Sequence, residues 1–300
     1  MPNPITLFFM IFFLLESVIA IVENSFIFMI LGREWMRCRT LPPGDIILAS
    51  LGISRFFLQW MSIFSNFFTY FFPLKLSVYF GTFWTFSNMT TFWFTTCLGV
   101  FYCVKISAFT HPVFLWLKWR IPQMIHLFLF CSLLTSILLT TPQILTTFLT
   151  FQVKVPGNSS EKTILEDKMC AYRIHYFMPM QLFILLLPFL FFLVSIIFLI
   201  STLCRHLGKM QHHSSSLQDP SMQVHITALK SLFFFLILYT SYFLPLIIST
   251  IIPISVSSSW FWVREVVTYA GISIHPAFLI LNSPKLRGAL KKIFHVPEAA

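Results

Sequence analysis

Apolar residues occur along this chain in seven long blocks, roughly 5–31, 46–72, 78–104, 121–151, 174–203, 231–254 and 260–282, separated by shorter polar and basic intervals. The third block is the cleanest, with no Asp, Glu, Lys or Arg in the 27 residues from 78 to 104. At about 1.5 Å of rise per residue, a helix of that length crosses a hydrocarbon core roughly 30 Å thick. No block shows the two-residue alternation of a membrane barrel, so each satisfies its own peptide groups in lipid only by coiling into a helix. The pattern predicts an all-α membrane protein, a seven-transmembrane helix bundle forming one domain over residues 1–300, with a short cytoplasmic amphipathic tail helix at 284–295. The first block starts at Ile5 with no basic residue ahead of it, carries Glu16 and lacks a small-residue cleavage pattern, so it is expected to be retained.

Composition strengthens this reading. The chain is 57% hydrophobic and 10% charged, where a soluble domain carries about a quarter charged residues. Six cysteines, at 38, 97, 103, 131, 170 and 204, lack the paired spacing of zinc or redox sites. Most are expected to be buried thiols within helices.

Charge sets the expected orientation. Seven spans place the termini on opposite faces. The intervals after blocks 1, 3 and 5, together with the tail, hold thirteen basic residues, among them Arg33, Arg37, Arg39, Lys105, Lys209, Lys230 and Lys285. The opposite face holds six, and Glu161, Glu166 and Asp167 dilute them. The positive-inside bias makes the thirteen cytoplasmic, with the N-terminus outside, the C-terminus inside and the plasma membrane as the expected location. Asn158-Ser159-Ser160, an N-glycosylation sequon between blocks 4 and 5, falls on the outer side of that topology. The net charge of +10 lies along the cytoplasmic edge, which suits anionic membrane lipid and not nucleic acid.

Polar residues inside the blocks mark function or internal pairing. Glu16 and Glu23 are seven apart in the first block, on one helix face, with Asn24 beside them. Arg55, in "LASLGISRFF", is the expected partner of Glu23 or Asn24 across the first two helices. Two readings stand: a clamp holding helices 1, 2 and 7 together, or a switch that repacks on activation. Nearer the outer side, Trp84 and Asn88 share a face four residues apart, and Glu265 follows Arg264. An aromatic plate, an amide and a carboxylate can bind small molecules, cationic ones through the acid; the alternative is an interfacial Trp and a headgroup-level Glu. Phosphate, dinucleotide and catalytic motifs are absent, so neither an enzyme nor a cofactor is expected. His206, His212, His213 and His225 lack partner cysteines and read as solvated loop residues, with no metal.

These features converge on a resemblance. "FYCVKI" at 101–106 with "FLWLKWR" at 114–120, "HLGKMQ" at 206–211, "LQDPSMQVHITALKSL" at 217–232 and "HPAFLILNSPKLR" at 275–287 are similar to signatures of the type 2 bitter taste receptors, in the right order and almost end to end; "ENSF" and "GISRF" fit its helix 1 and 2 patterns. The resemblance implies a G-protein-coupled chemosensory receptor. Its agonists are bitter small molecules, bound in an outer-half pocket that includes Trp84, Asn88 and Glu265. Tyr239 and Tyr242 fall in an aromatic region beneath that pocket, and Asn158 matches the family's glycosylation site. Phe101, Tyr102, Lys105, His206, Lys209 and Lys230 fall where the family meets a heterotrimeric G protein, of the gustducin or inhibitory class. Pro188, Pro245 and Pro276 are candidate bends. Pro284 departs from the family pattern after Ser283, and either kinks the exit of helix 7 or starts the tail helix at once. A vomeronasal-type chemoreceptor and, further off, a small-solute transporter are the alternatives.

Overall fold

A computed structural model describes residues 2–72, 75–106, 112–152, 178–213, 220–252 and 254–293. Among them the chain forms eight helices: α1 (Pro4–Cys38), α2 (Pro43–Phe71), α3 (Lys75–Ile106), α4 (Pro112–Gln152), α5 (Met178–His213), α6 (Pro220–Ile251), α7 (Ser259–Asn282) and α8 (Pro284–Ile293). Local chemistry sets the helix ends. Asn3 accepts a hydrogen bond from the Ile5 amide ahead of Pro4, and the Ser258 hydroxyl accepts one from the Trp260 amide. Pro43 opens α2, with Asp45 favourably placed in its first turn.

The helices form a bundle in which α3 packs on α2, α4 and α5, while α1 packs on α2 and α7, and α6 bridges α5 and α7. Phe92, Phe192, Tyr242, Trp262 and Tyr269 lie in its core. The outer surface is as apolar as the inside: Leu138 is 70% exposed and Phe183 65%, while Arg55 and Gln59 are 3% and 0% exposed. That inversion suits a lipid solvent, where the polar groups must find partners inside the bundle. Six helices are individually long and apolar enough to cross a membrane. The seventh passes as the bent pair α7 with α8, which turn by 90° at Ser283.

The helix 7 exit is settled at Ser283. Its backbone is extended and its hydroxyl accepts from the Leu286 amide at 3.4 Å, so α8 begins directly at Pro284 with Ser283 as its cap. Leu286 is buried against Ile27, Leu31 and Ile280. The Lys285 ammonium bonds Asp45 Oδ2 at 2.7 Å and the Glu34 carboxylate, tying α8 to α1 and α2.

The cysteines require a correction. Of the five within the described residues, only Cys103 is buried; Cys97 is half-buried, and Cys38, Cys131 and Cys204 are exposed. An apolar side chain in lipid gains nothing by facing inward, so a thiol on a membrane helix carries no bias toward the core. Cys170 lies outside the described residues.

Candidate functional site

One face of α2 carries Arg55, Gln59, Ser62 and Asn66, spaced four, three and four apart, and the two ends of this stripe, Arg55 and Asn66, reach His275 and Glu265 on antiparallel α7. At the end of the bundle that carries the chain's N-terminus, Asn66 Nδ2 donates to Glu265 Oε2 at 2.8 Å, and the Arg264 guanidinium donates to Glu265 Oε1 at 2.9 Å. Glu265 is thus a carboxylate turned into the bundle, 8% exposed. Trp84 Nε1 donates to the Tyr269 hydroxyl at 2.6 Å, joining α3 to α7. One turn along α3, the Asn88 side-chain oxygen accepts from the Tyr242 hydroxyl, joining α3 to α6. Phe92 stacks on Tyr242, and the Tyr239 hydroxyl reaches the Phe92 carbonyl at 3.4 Å. Trp84, Asn88, Tyr242, Tyr269, Asn66 and Glu265 therefore form a polar lattice across four helices in the half of the bundle that carries the N-terminus. The sequence singled out Trp84, Asn88, Tyr239, Tyr242 and Glu265; it missed Asn66 and Tyr269. The spacing from Arg55 to Asn66 was the available signal for Asn66.

Arg55 has a different partner from the expected one. Its Nη1 lies 2.8 Å from His275 Nδ1 on α7, while the Asn24 amide donates to its own helix at the Ala20 carbonyl, 2.8 Å away. Arginine offers only donors, so His275 Nδ1 is the acceptor and the ring proton sits on Nε2. The clamp joins α2 to α7 and leaves Glu23 out, because Arg55 lies on the α2 face that meets α7. Among the described residues, Arg55 Nε, both polar atoms of Gln59, the hydroxyls of Ser17 and Ser273, and one oxygen of Glu23 are buried without a hydrogen-bond partner. Glu16 approaches Ser273 without closing a hydrogen bond.

At the end that carries α8, the α3 terminus is less exposed than its sequence suggests. Phe101 is 3% exposed and packs on Gly44 at the start of α2. Tyr102 is half-buried, and Lys105, which is exposed, holds its ammonium 5.5 Å above the Phe101 ring. Lys230 on α6 is exposed. The side chains of His206 and Lys209, and the whole of Asn158, lie outside the described residues.

Comparison with known proteins places this architecture. The sequence profile of the family described as Taste receptor protein (TAS2R) matches residues 1–298. Taste receptor type 2 member 143 of Rattus norvegicus is 42% identical over 298 residues, covering 98% of this chain and 100% of that protein. Taste receptor type 2 member 134 of the same species is 41% identical over 283 residues, or 94% of this chain and 85% of the relative. Taste receptor type 2 member 16 of Homo sapiens is 40% identical over 290 residues, 97% and 98% of the two chains. A full-length profile match, and identity near 40% over whole chains, fit a seven-helix, multi-pass membrane receptor with no catalytic role: the chain belongs to the TAS2R family of taste receptor proteins.

Proposed function

We propose that the protein is a chemosensory receptor for bitter small molecules that couples to a heterotrimeric G protein of the gustducin or inhibitory class. The agonist enters from the N-terminal end, taken as extracellular, and binds beside Trp84, Asn88, Tyr239, Tyr242 and Glu265. The observation that carries this reading is the hydrogen-bonded lattice itself. Trp84 with Tyr269, and Asn88 with Tyr242, join α3 separately to α7 and α6, so a ligand that takes one of these groups changes how the helices are held together. A ligand shifts the bundle only through its different affinity for the two states. In the active state, a cleft among α3, α5 and α6 accepts a helix of the G protein, rimmed by the Phe101–Lys105 edge, His206, Lys209 and Lys230. Glu23, Glu16, Asn24 and Arg55 act within the bundle, away from both binding surfaces.

Intracellular calcium in cells co-expressing the chain with a promiscuous taste-type G protein tests this, using a panel of bitter compounds and a parallel measure of surface level. A concentration-dependent response is expected, lost in Trp84→Ala and in Glu265→Gln at equal surface level. A response that both variants retain at full potency would overturn the pocket. Agonist-independent nucleotide exchange on every G protein tried would overturn ligand gating.

A further inference from the structure

A concavity lies at the end of the bundle opposite the Trp84–Glu265 lattice, on its outer surface. It is about 440 Å³ in volume and lies between α1 and α2, with α4 at its rim. Phe28, Gly32 and Trp35 line it from α1, and Ile46, Ala49 and Ile53 from α2. The α1 residues recur at four and three positions, along a single helical face. This face is not closed by protein: Trp35 is 54% exposed and Ile53 43%. Apart from the local α1 backbone, no atom lies within 4 Å of where a Cβ on Gly32 would sit.

The lip of the groove is polar and positive. Arg39 caps α1 in the left-handed region at φ 57°, its amide bonded to the Trp35 carbonyl at 2.8 Å, and its side chain lines the groove with Thr40 and His126. The two acids near this end, Glu34 and Asp45, are both engaged by Lys285. Among the described residues Arg39 enters no ion pair, and Arg33 and Arg37 add positive charge on the same helix turns. From Phe28 to Arg39 the groove follows α1 for ~16 Å at the rise of an α-helix. That is about half of a hydrocarbon core, the depth of one leaflet.

We infer that this groove is a binding site for one anionic phospholipid, its acyl chain along Gly32 between α1 and α2 and its phosphate on Arg39. Length and charge together select this occupant. A neutral sterol fills an apolar groove but leaves the Arg39 guanidinium without a counter-charge, and a free phosphate leaves the apolar walls uncovered. The inference rests on the proposed orientation only for the choice of the cytoplasmic leaflet.

Native mass spectrometry of the purified full chain in detergent, with phosphatidylserine or phosphatidylcholine added at equal concentration, tests it without any agonist. Wild type is expected to retain one phosphatidylserine in preference to phosphatidylcholine. Arg39→Asn keeps a residue that tolerates the left-handed backbone. It is expected to lose that preference by about five-fold, the effect of one basic residue at an anionic surface. Gly32→Leu extends into open space and is expected to lower retention of both lipids while leaving the helical circular dichroism and monodispersity unchanged. Equal retention of the two lipids by wild type, or an unaltered preference in Arg39→Asn, overturns the site. Retention of cholesterol in place of phospholipid, abolished by Gly32→Leu, also overturns it and reassigns the groove to a sterol. None of these outcomes bears on agonist response, so the site and the chemosensory function fail separately.

Discussion

Arg55 is a buried cation whose Nη1 is met by His275 Nδ1 at 2.8 Å. A hydrogen bond to a charged group contributes about 1.5–3 kcal/mol. His275→Ala is therefore expected to lower the unfolding free energy of the purified receptor by that amount, seen as a lower thermal midpoint, while His275→Asn, which keeps an acceptor, recovers part of it. An unchanged midpoint in the alanine variant would show that Arg55 is held by other groups. Gly271 is the other sensitive position: a Cβ there falls within 3.0 Å of the Leu238 carbonyl oxygen on α6. Gly271→Ala must push α6 from α7, at about 1–3 kcal/mol for overpacking. Thermal unfolding reads the loss; a midpoint equal to wild type would mean the two helices separate freely. These residues were only partly legible beforehand. Arg55 stood out because charge is rare in an apolar block, whereas His275 lies next to Pro276 in a motif and gives no sign of which helix it faces.

Among the helices, α8 is held by both packing and charge. Leu286 is buried, and Lys285 reaches Glu34 and Asp45. Partial burial pulls the Lys285 ammonium down, but the hydrogen bonds and charges of Asp45 and Glu34 more than offset this and hold its pKa above the ordinary lysine value of 10.5. A raised cationic pKa means that the tether is complete below the ordinary value and is lost only as pH rises through the raised one. At neutral pH the tether is intact. Lys285→Gln is expected to raise amide hydrogen exchange over 284–293 several-fold at neutral pH, in line with ~1 kcal/mol for a partly exposed pair. The same exchange rate in both proteins would assign the anchoring of α8 to Leu286 alone. Pro284 was readable as a helix breaker or a helix start. The choice between them depended on the Ser283 backbone, which turns the chain by 90° and caps the new helix.

For the whole molecule, the orientation in the membrane governs where the agonist, the G protein and the lipid bind. The thirteen basic residues of the α8 side argue for a cytoplasmic C-terminus. The sequon at Asn158 supplies the check. Expressed in mammalian cells, the chain is expected to shift downward on a gel after glycosidase treatment, and Asn158→Gln to remove that shift. A shift that persists in Asn158→Gln would place the glycan elsewhere, and an N-terminal epitope stained only after permeabilisation would reverse the topology.

The sequence by itself determined the class of the molecule. Blocks of apolar residues without charge can exist only as helices in a bilayer, and the spaced motifs from "ENSF" to "HPAFLILNSPKLR" identify the family. Tertiary structure decided the pairing. In lipid the outer and inner faces of a helix are equally apolar, so hydrophobic periodicity carries little information about which side of α1 or α3 faces the core. That is why Arg55 met His275 and not Glu23, why Phe101 turned out buried beneath Lys105, and why three cysteines face outward. Polar spacing survives this loss, as the stripe from Arg55 to Asn66 shows, because an amide or a guanidinium must lie where another polar group can reach it.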